Sequence, residues 1–529
     1  MAAPSSGSGS ARRQPVPRPI AVALALVLVA VGSGSSASSP VHAAAKDSVA
    51  LFGGAPETLD PAAQGDSGTA AVTAQIYESL TAFDPGLVLH PALAGSWDVL
   101  DGGSRIVFHL RSGLTFSDGA PLTAADVVRS WLRVIDPAKP SPLASLMTDV
   151  VGANDYLHGT TSDPATVGLR ATGDDLEVRL THPATDFTAV VASPTFGIVP
   201  KRSTLDGSVG SGGYVVSATT DTELTLTANG RYWAGRPAIG TVHLLSSIGG
   251  RSPVDAYTSG DLDYVQIGDI DANWIAYDAD LGPDLRSVPS LSVEYLGFDV
   301  RQHPFDDVRV RQAFALAVDW TRLVDLSSGG TTVPATGLVP PGIPGRPDGD
   351  FSVHVDVPKA QALLAAAGYP GGAGFPDITY FTGGTGIDAG ILRQLHDALG
   401  VTIRYESMDF GPYFTLLAAD PPAIWSLGWS ADYPGPNDFL GLLLGTGQSN
   451  NYGHWTSTEF DAAIAAAGAA TSPAAATAAF AKAETIVQDQ VPVIPIDYGS
   501  GWALSRPGLL GAADSGLGFI RLAGLAWAK

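Results

Sequence analysis

Apolar and polar positions follow two patterns along the chain. Alternation and short apolar runs predict strands at residues 46–52, 105–111, 176–180, 187–191, 214–228 (two strands), 261–265, 295–299, 378–381, 401–405 and 491–498. Apolar residues at helical spacing predict helices at residues 70–80, 308–318, 357–368, 387–399, 458–470 and 473–488. Thr123 and Asp126 form a capping box, which predicts a further helix through Trp131. Strands interleaved with helices indicate a mixed α/β protein.

One stretch combines the predicted end of a strand with groups that could bind a ligand. The apolar run at residues 423–427 predicts a short buried strand that ends at Gly428 and Trp429, because prolines and a glycine follow. Gly428 offers bare backbone, Trp429 an aromatic wall and Asp432 a lone carboxylate, a combination that suits an extended ligand with an amine. The same pattern is also typical of an ordinary buried strand followed by a solvated turn aspartate.

A second candidate wall lies near the start of the chain. Residues 62–68 are small and polar, and they connect the first predicted strand to the helix at residues 70–80. A loop of this kind exposes backbone groups that can contact a ligand. Taken alone, it is equally typical of a plain connection.

The length of the chain predicts several domains, and the N-terminus predicts export from the cytoplasm. A chain of 529 residues is too long for a single core and predicts two or three domains, and 45% apolar residues exclude a disordered protein. Arg12, Arg13 and Arg18 precede an apolar run at residues 20–31, and small residues follow. This order is typical of a secretory signal, with cleavage expected after Ala43 or Ala45.

The net charge and the absence of cysteine limit the ligands, the metal sites and the membrane anchors that this protein can have. Loss of residues 1–45 would leave 26 basic and 52 acidic residues, a balance that disfavours nucleic acid and anionic lipid and favours cationic ligands. The chain has no cysteine, which excludes disulfides, a thiolate nucleophile, Cys-ligated metal and a lipid anchor on Cys. Serine stands near residue 33, where a lipoprotein signal would carry its cysteine, so we expect free secretion or a weak tether by an uncleaved apolar segment.

Patterns for cofactors and catalysis are weak. Gly384, Gly386 and Ala389, with Glu406 about twenty residues further on, match the dinucleotide-binding fingerprint, but only one βαβ unit surrounds them. The ten histidines are scattered without metal-ligand spacing, and no nucleophile elbow or phosphate loop occurs. We therefore expect no cofactor, no metal and no enzyme activity, with an extracellular hydrolase as the alternative from another class.

Five blocks of sequence stand in a fixed order along the chain. The longest is FHLRSGLTFSDGAPLTAADVVRSW at residues 108–131. The others are LDP at 59–61, GFD at 297–299 with PFDDVRVRQA at 304–313, AGYP at 367–370 and GWSADYP at 428–434. Together they resemble the extracytoplasmic solute-binding proteins of peptide ABC importers, the oligopeptide, dipeptide and nickel-binding family. The resemblance covers essentially all of the chain after the N-terminal segment.

This resemblance implies a two-lobed α/β fold of the periplasmic-binding-protein type with an extra subdomain inserted in the first lobe. After a signal segment at residues 1–45, the implied first lobe is discontinuous and comprises residues 46–80, 200–296 and 492–529. The inserted subdomain would span residues 81–199, and the second lobe residues 297–491.

The resemblance also implies a set of ligand-binding residues. The carboxylate of Asp432 would pair with the α-ammonium of a peptide, Trp429 would line the cleft, and backbone groups would hydrogen-bond the peptide from both lobes. These backbone positions are Gly428 and Ser430 on one lobe and Gly65, Asp66 and Ser67 on the other. Some peptide binders carry an arginine two residues before the glycine of this block, whereas Ser426 stands there in this chain. A dedicated clamp for a ligand carboxylate is therefore not expected at that position.

The expected function is a monomeric receptor that binds short peptides between its lobes and delivers them to the permease of an ABC importer. Another cargo within the same family is the alternative, such as haem, a nickel complex or a glycopeptide. The peptide length, the permease and the fate of the N-terminal segment stay open at this level.

Overall fold

The computed structural model describes residues 47–184, 186–202, 204–288, 290–328, 332–384 and 386–529. In that part of the chain the strands are β1 (Ser48–Phe52), β2 (Thr81–Phe83), β3 (Leu89–Pro91), β4 (Ala94–Leu100), β5 (Arg105–Leu110), β6 (Leu169–Thr172), β7 (Asp175–Arg179), β8 (Tyr214–Thr219), β9 (Glu223–Ala228), β10 (Thr241–Leu245), β11 (Tyr264–Ile267), β12 (Leu285–Val288), β13 (Ser292–Phe298), β14 (Val333–Pro334), β15 (Ile378–Thr382), β16 (Ile403–Ser407), β17 (Ile424–Ser430), β18 (Val493–Tyr498), β19 (Gly501–Ser505), β20 (Leu509–Leu510) and β21 (Ala526–Trp527).

The helices of the same part of the chain are α1 (Ser67–Ile76), α2 (Ala124–Leu132), α3 (Ala153–Leu157), α4 (Phe187–Val190), α5 (Pro253–Thr258), α6 (Asp269–Ile275), α7 (Val308–Ala317), α8 (Trp320–Ser328), α9 (Val357–Ala366), α10 (Asp388–Leu399), α11 (Phe410–Ala419), α12 (Pro436–Phe439), α13 (Gly441–Leu444), α14 (Thr458–Gly468) and α15 (Pro473–Gln490). No helix among the described residues combines the length and apolar character that a bilayer crossing requires. The predicted signal segment at residues 1–45 lies outside the described residues.

Two mixed sheets form the centres of two lobes. The first has seven strands in the order β12-β19-β11-β1-β10-β9-β8, so that both ends of the chain contribute to it. The second has six strands in the order β14-β18-β13-β17-β15-β16. Each sheet mixes parallel and antiparallel pairs; β1 is parallel to β10, and β13 is antiparallel to β17. The predicted two-lobed α/β fold is therefore present. The chain passes from the first sheet to the second and back again, so the lobes are not two consecutive segments of the chain.

A four-stranded antiparallel sheet, β4-β5-β7-β6, forms the centre of the segment predicted as an inserted subdomain. Helix α2 packs on it and begins at the predicted capping box, in which Thr123 and Asp126 cap each other. Trp131 of this helix is fully buried, and its ring meets the rings of Phe108, Phe187 and Phe196. This aromatic cluster forms part of the subdomain core.

Two strands change the predicted limits of the lobes. Strand β13 crosses the predicted limit at 296/297, and β18 begins just after the limit at 491/492, yet both strands belong to the second sheet. They pair with each other over residues 293–297, so their backbones must stay in one lobe. The sheet pairing places both strands in the second lobe, several residues beyond the two predicted limits, and the domain division stays a prediction. The predicted strand at residues 187–191 is wrong, because Phe187–Val190 forms one helical turn against Trp131.

Candidate ligand-binding site

A cavity of about 760 Å³ is lined by strand residues of the six-stranded sheet, by residues 64–67 and the start of α1, by Asp269 of α6 and by residues of the inserted segment. The second sheet contributes the end of β17 together with residues of β13 and β18, and the loop before α1 closes the opposite side. All of the residues predicted to bind ligand line this one cavity: Gly65, Asp66, Ser67, Gly428, Trp429, Ser430 and Asp432. Segments far apart in the sequence are thus brought together, while their roles toward a ligand stay a prediction.

Strand β17 presents a free backbone edge to this cavity. Its neighbour β15 pairs with it only at Ile424 and Trp425, and no other strand in the described ranges pairs on that edge farther along. Ala431 N–H donates to Leu291 O, toward β13. Because backbone groups of successive strand residues point to opposite edges, those of Gly428 and Ser430 point away from β13. A peptide could therefore pair with β17 as an added strand.

At Gly428 of β17 any side chain larger than hydrogen would project into the site. It lies opposite Glu294 of β13, and a Cβ on Gly428 would come within 2.2 Å of Glu294 Oε1. The glycine thus keeps the strand surface bare and leaves room for the Glu294 carboxyl at the cavity wall.

Asp432 follows the strand end and turns its side chain inward. Within the described residues its Oδ2 atom has no hydrogen-bond partner and no solvent exposure, while the residue as a whole is half-buried. Burial raises the pKa of the Asp432 carboxyl to about 7. A buried carboxylate oxygen without a donor is unfavourable, and a ligand ammonium would supply both the donor and the opposite charge.

The aromatic wall is held from behind. The Trp429 indole is buried, and its Nε1–H donates to Asp438 Oδ2 at 3.0 Å. The backbone N–H of Asp432 donates to the same oxygen at 3.2 Å. Tyr433 is fully buried, and its hydroxyl donates to Asp186 Oδ2 of the inserted segment at 3.1 Å. The Trp429 indole, the Asp432 backbone and the Tyr433 hydroxyl are therefore positioned by carboxyl groups rather than by basic residues.

The opposite wall begins at a helix N-terminus. Asp66 caps α1, with Oδ1 accepting from Thr69 N at 2.8 Å. Its side chain therefore serves the helix, whereas Gly65 and Ser67 are exposed. Contact between a ligand and residues 65–67 would have to use backbone groups or the Ser67 hydroxyl.

The charged groups of the cavity all have the same sign. Five carboxyl residues line it, and no lysine, arginine or histidine does so among the residues that the structure describes. They are Asp66, Asp269, Glu294, Asp432 and Asp497. Burial and the nearby Asp497 raise the pKa of Glu294 to about 7, and burial and Asp269 raise the pKa of Asp497 to about 6. The cavity therefore favours a cationic ligand and disfavours an anionic one.

Stability is expected to increase as the pH falls from about 7 to about 5. Burial raises the pKa of Glu484 to about 7, as it does for Asp432 and Glu294, so each carboxyl binds its proton more tightly in the folded than in the unfolded chain. Each extra proton bound adds about 1.4 kcal/mol of unfolding free energy per pH unit of acidification. Carboxyls with a lowered pKa, such as Asp299, weaken the fold only below about pH 4. Melting temperatures in buffers of equal ionic strength test this expectation, and a flat or falling series between pH 7 and 5 contradicts it.

Several lining residues were missed by sequence reasoning. Glu294 and Asp497 face each other across β13 and β18, and Asp269 accepts from Trp502 Nε1 at 2.8 Å. Nothing in the local sequence marks these acids, because each lies in an ordinary strand or helix start. The signal that could have found Glu294 is its alternation with Ser292, which places both side chains on one face of β13.

Two further sequence features now have a place. The loop with Gly383, Gly384 and Gly386 lines the cavity. Asp388 lies at the N-terminus of the helix that follows. A bound phosphate would need a positive environment at that position, and Asp388 is an acidic residue. Ser426, at the position of the absent arginine, also lines the cavity and donates to Thr382 Oγ1 at 2.9 Å. Among the described residues no cluster of three potential metal ligands occurs.

Comparison with known proteins identifies the family. The model of the bacterial extracellular solute-binding proteins, family 5, matches residues 88–451, well over half of the chain. The chain belongs to this family. The family 5 proteins are solute-binding receptors of ABC importers, as the resemblance of the five sequence blocks implied.

The relatives of this family 5 protein have different cargoes in their names. It is 31% identical to the probable deoxycholate-binding periplasmic protein YgiS of Escherichia coli, over 84% of this chain and 86% of that protein. It is 28% identical to heme-binding protein A of Haemophilus influenzae, over 85% and 86% of the two chains. It is also 28% identical to the periplasmic oligopeptide-binding protein OppA of E. coli, over 85% and 87%.

Solved structures show the same fold. The murein tripeptide-binding protein MppA of E. coli has a TM-score of 0.81 at 23% identity, over 92% of this chain and 99% of that one. The complex of H. influenzae OppA with the peptide RPPGFSPFR has a TM-score of 0.80 at 24% identity, over 92% and 99%. The unliganded open form of MppA has a TM-score of 0.70 at 23% identity, over 92% and 98% of the two chains.

Proposed function

We propose that this family 5 protein is an exported, monomeric receptor that binds short peptides with a free amino terminus between its lobes and presents them to a membrane permease. The observation that carries the proposal is the unpartnered Oδ2 of Asp432 beside the free backbone edge of β17. An extended peptide would pair with Gly428 and Ser430, and its ammonium would meet Asp432. Contacts to both lobes favour the closed state by their differential affinity.

The charge of the cavity favours peptides over the cargoes named for two relatives. Deoxycholate and haem both carry carboxylates, and a wall with five carboxyl residues and no described basic residue would repel them. Haem iron also needs an axial ligand, and no histidine, methionine or cysteine is among the described residues that line the cavity. The Tyr413 hydroxyl is already committed to the carbonyl oxygens of Phe381 and Ser426.

Native mass spectrometry with thermal melting tests the proposal. The purified chain is incubated with a mixture of short peptides, with the same peptides N-acetylated, and separately with deoxycholate and haemin. We expect intact free-amine peptides to bind and to stabilise the fold by about 2.7 kcal/mol at a concentration about 100 times Kd. Acetylated peptides are expected to raise the melting temperature much less than free-amine peptides, and deoxycholate and haemin are expected to leave it unchanged.

Each other outcome points to a different function. Equal binding of acetylated peptides would remove the role of Asp432. Saturable binding of deoxycholate or haemin in place of peptides would assign the cargo of the corresponding relative. Shortened peptides after incubation would indicate a hydrolase.

A further inference from the structure

Behind Asp432 lies a second carboxyl group that the proposed function does not use. Asp438 belongs to α12 and is fully buried, whereas Asp432 is half-buried and lines the cavity. Asp438 Oδ2 accepts two hydrogen bonds, one from the Trp429 indole and one from the backbone of Asp432. Asp438 is thus bonded to two of the residues that form the candidate amine site.

The surroundings of the other carboxyl oxygen, Oδ1, indicate whether Asp438 is charged. Oδ1 has no partner among the described residues and no solvent exposure. An ionised carboxylate with a bare, buried oxygen is costly, and a second charge on Asp432 would increase that cost. A proton on Oδ1 removes the charge, and Oδ2 can still accept both N–H groups. Burial and the neighbouring Asp432 raise the pKa of Asp438 well above its ordinary value, in agreement with this geometry.

Among the described residues, no basic side chain contributes to the shifted pKa of Asp438. Burial and the charge of Asp432 raise this pKa, while hydrogen bonds from the Trp429 indole and from the backbone of Asp432 and Tyr433 act in the opposite direction without reversing the shift. Beyond Tyr433 lies Asp186 of the inserted segment, and His182 nearby pairs with Asp149 at 3.0 Å. His182 therefore already has a carboxylate partner of its own.

We propose that Asp438 is the positioning residue of the amine site: a neutral carboxyl that fixes the Trp429 indole and the backbone of Asp432 and leaves Asp432 as the charged member of this pair of carboxyl groups. This inference rests on the proposed function and adds that only one of the two neighbouring carboxyl groups offers a charge to the ligand ammonium. A second ionised carboxylate at this depth would instead require a dication or a bound metal ion.

Three variants test this role by affinity for a free-amine peptide and for its N-acetylated form. D438L removes the acceptor of both N–H groups, and we expect the preference for the free amine to fall by about 30-fold. D438N reproduces a neutral carboxyl, because its carbonyl oxygen can accept both N–H groups, and it is expected to recover the preference to within about threefold of wild type. The exposed D397N on α10 is the matched control and should match wild type.

The pH profile separates a neutral from an ionised Asp438. In wild type, free-amine affinity should fall below about pH 7, because a protonated Asp432 must release its proton to bind an ammonium. If Asp438 is neutral, D438N keeps that midpoint within about half a pH unit. If Asp438 is ionised, its removal as a charge lowers the pKa of Asp432 and moves the midpoint down by about one unit or more, which overturns the inference.

The results also separate this inference from the proposed function. A wild-type protein without any preference for the free amine contradicts both. A clear preference that D438L leaves intact, or that D438N fails to restore, contradicts only the role of Asp438. A shift of about one pH unit or more in the midpoint of free-amine affinity in D438N also contradicts only the role of Asp438.

Discussion

Replacing Asp432 by Asn is expected to weaken the binding of a free-amine peptide by about 30-fold or more. Loss of one partner from a buried, hydrogen-bonded charge pair costs about 2 to 5 kcal/mol, and the ligand ammonium would be left without its counter-charge. The backbone edge of β17 would still pair with the peptide, so residual binding is expected rather than none. Isothermal titration calorimetry above pH 7, where Asp432 is ionised in wild type, measures this difference.

Two controls make the Asp432 result specific. The N-acetylated peptide, which has no ammonium, should bind the wild type and D432N with similar, weak affinity. D397N removes an exposed carboxylate of α10 and should bind like wild type. A loss smaller than about threefold in D432N, with the free amine still preferred, would assign the ammonium to another acid of the cavity, such as Glu294.

The same substitution is expected to stabilise the unliganded protein above pH 7. An isolated carboxylate at a buried position is unfavourable, and Asn removes the charge while it keeps the size of the side chain. A higher melting temperature together with weaker binding is the pattern expected where an acid serves the ligand rather than the fold. A lower melting temperature would mean that Asp432 stabilises the fold.

Replacing Trp131 by Ala is expected to lower the free energy of unfolding by about 3 to 5 kcal/mol. Its ring lies 5.3 Å from that of Phe196 and 6.3 Å from that of Phe108, both in near-perpendicular geometry. The indole N–H also donates to Phe196 O at 3.3 Å, so the substitution leaves both a cavity and an unpaired carbonyl. Chemical denaturation followed by circular dichroism measures the loss.

Matched substitutions show whether the Trp131 effect comes from packing. Trp131→Phe keeps most of the ring volume and should lose about 1 to 2 kcal/mol. Trp274→Ala removes a partly exposed tryptophan of α6 and should change the stability by less than about 0.5 kcal/mol. If Trp131→Ala loses no more than Trp274→Ala, the aromatic cluster does not carry the stability of the inserted subdomain.

Local patterns predicted the elements that carry their own signals. The capping box at Thr123 and Asp126 started a helix where predicted, and the apolar run before Gly428 formed a buried strand. Both are set by interactions within a few residues, namely side-chain caps and the exclusion of apolar side chains from water. The short apolar run Phe187–Val190 was misassigned, because four residues fit a strand and a helical turn equally well and contact with Trp131 decides between them.

The candidate site divides in the same way. Asp432, Trp429 and Gly428 could be selected from one stretch of sequence, because a strand end, an aromatic residue and a carboxylate occur together there. Glu294, Asp497 and Asp438 could not, since nothing near each of them distinguishes it from a surface acid. The burial and raised pKa values of Glu294 and Asp497, and the cavity they share, depend on pairing between β13, β17 and β18, whereas Asp438 of α12 is buried behind Asp432.

The sequence by itself determined that this is a secondary-structure-rich α/β protein of the solute-binding family, and it located one wall of the cleft. Only the tertiary structure decided that the cavity is acidic throughout and that Asp432 has a buried carboxyl behind it. The physical reason is range: helix caps and strand alternation act between near neighbours in the chain. The pKa of a carboxyl depends instead on every charge and every water molecule that the folded chain brings near it or excludes.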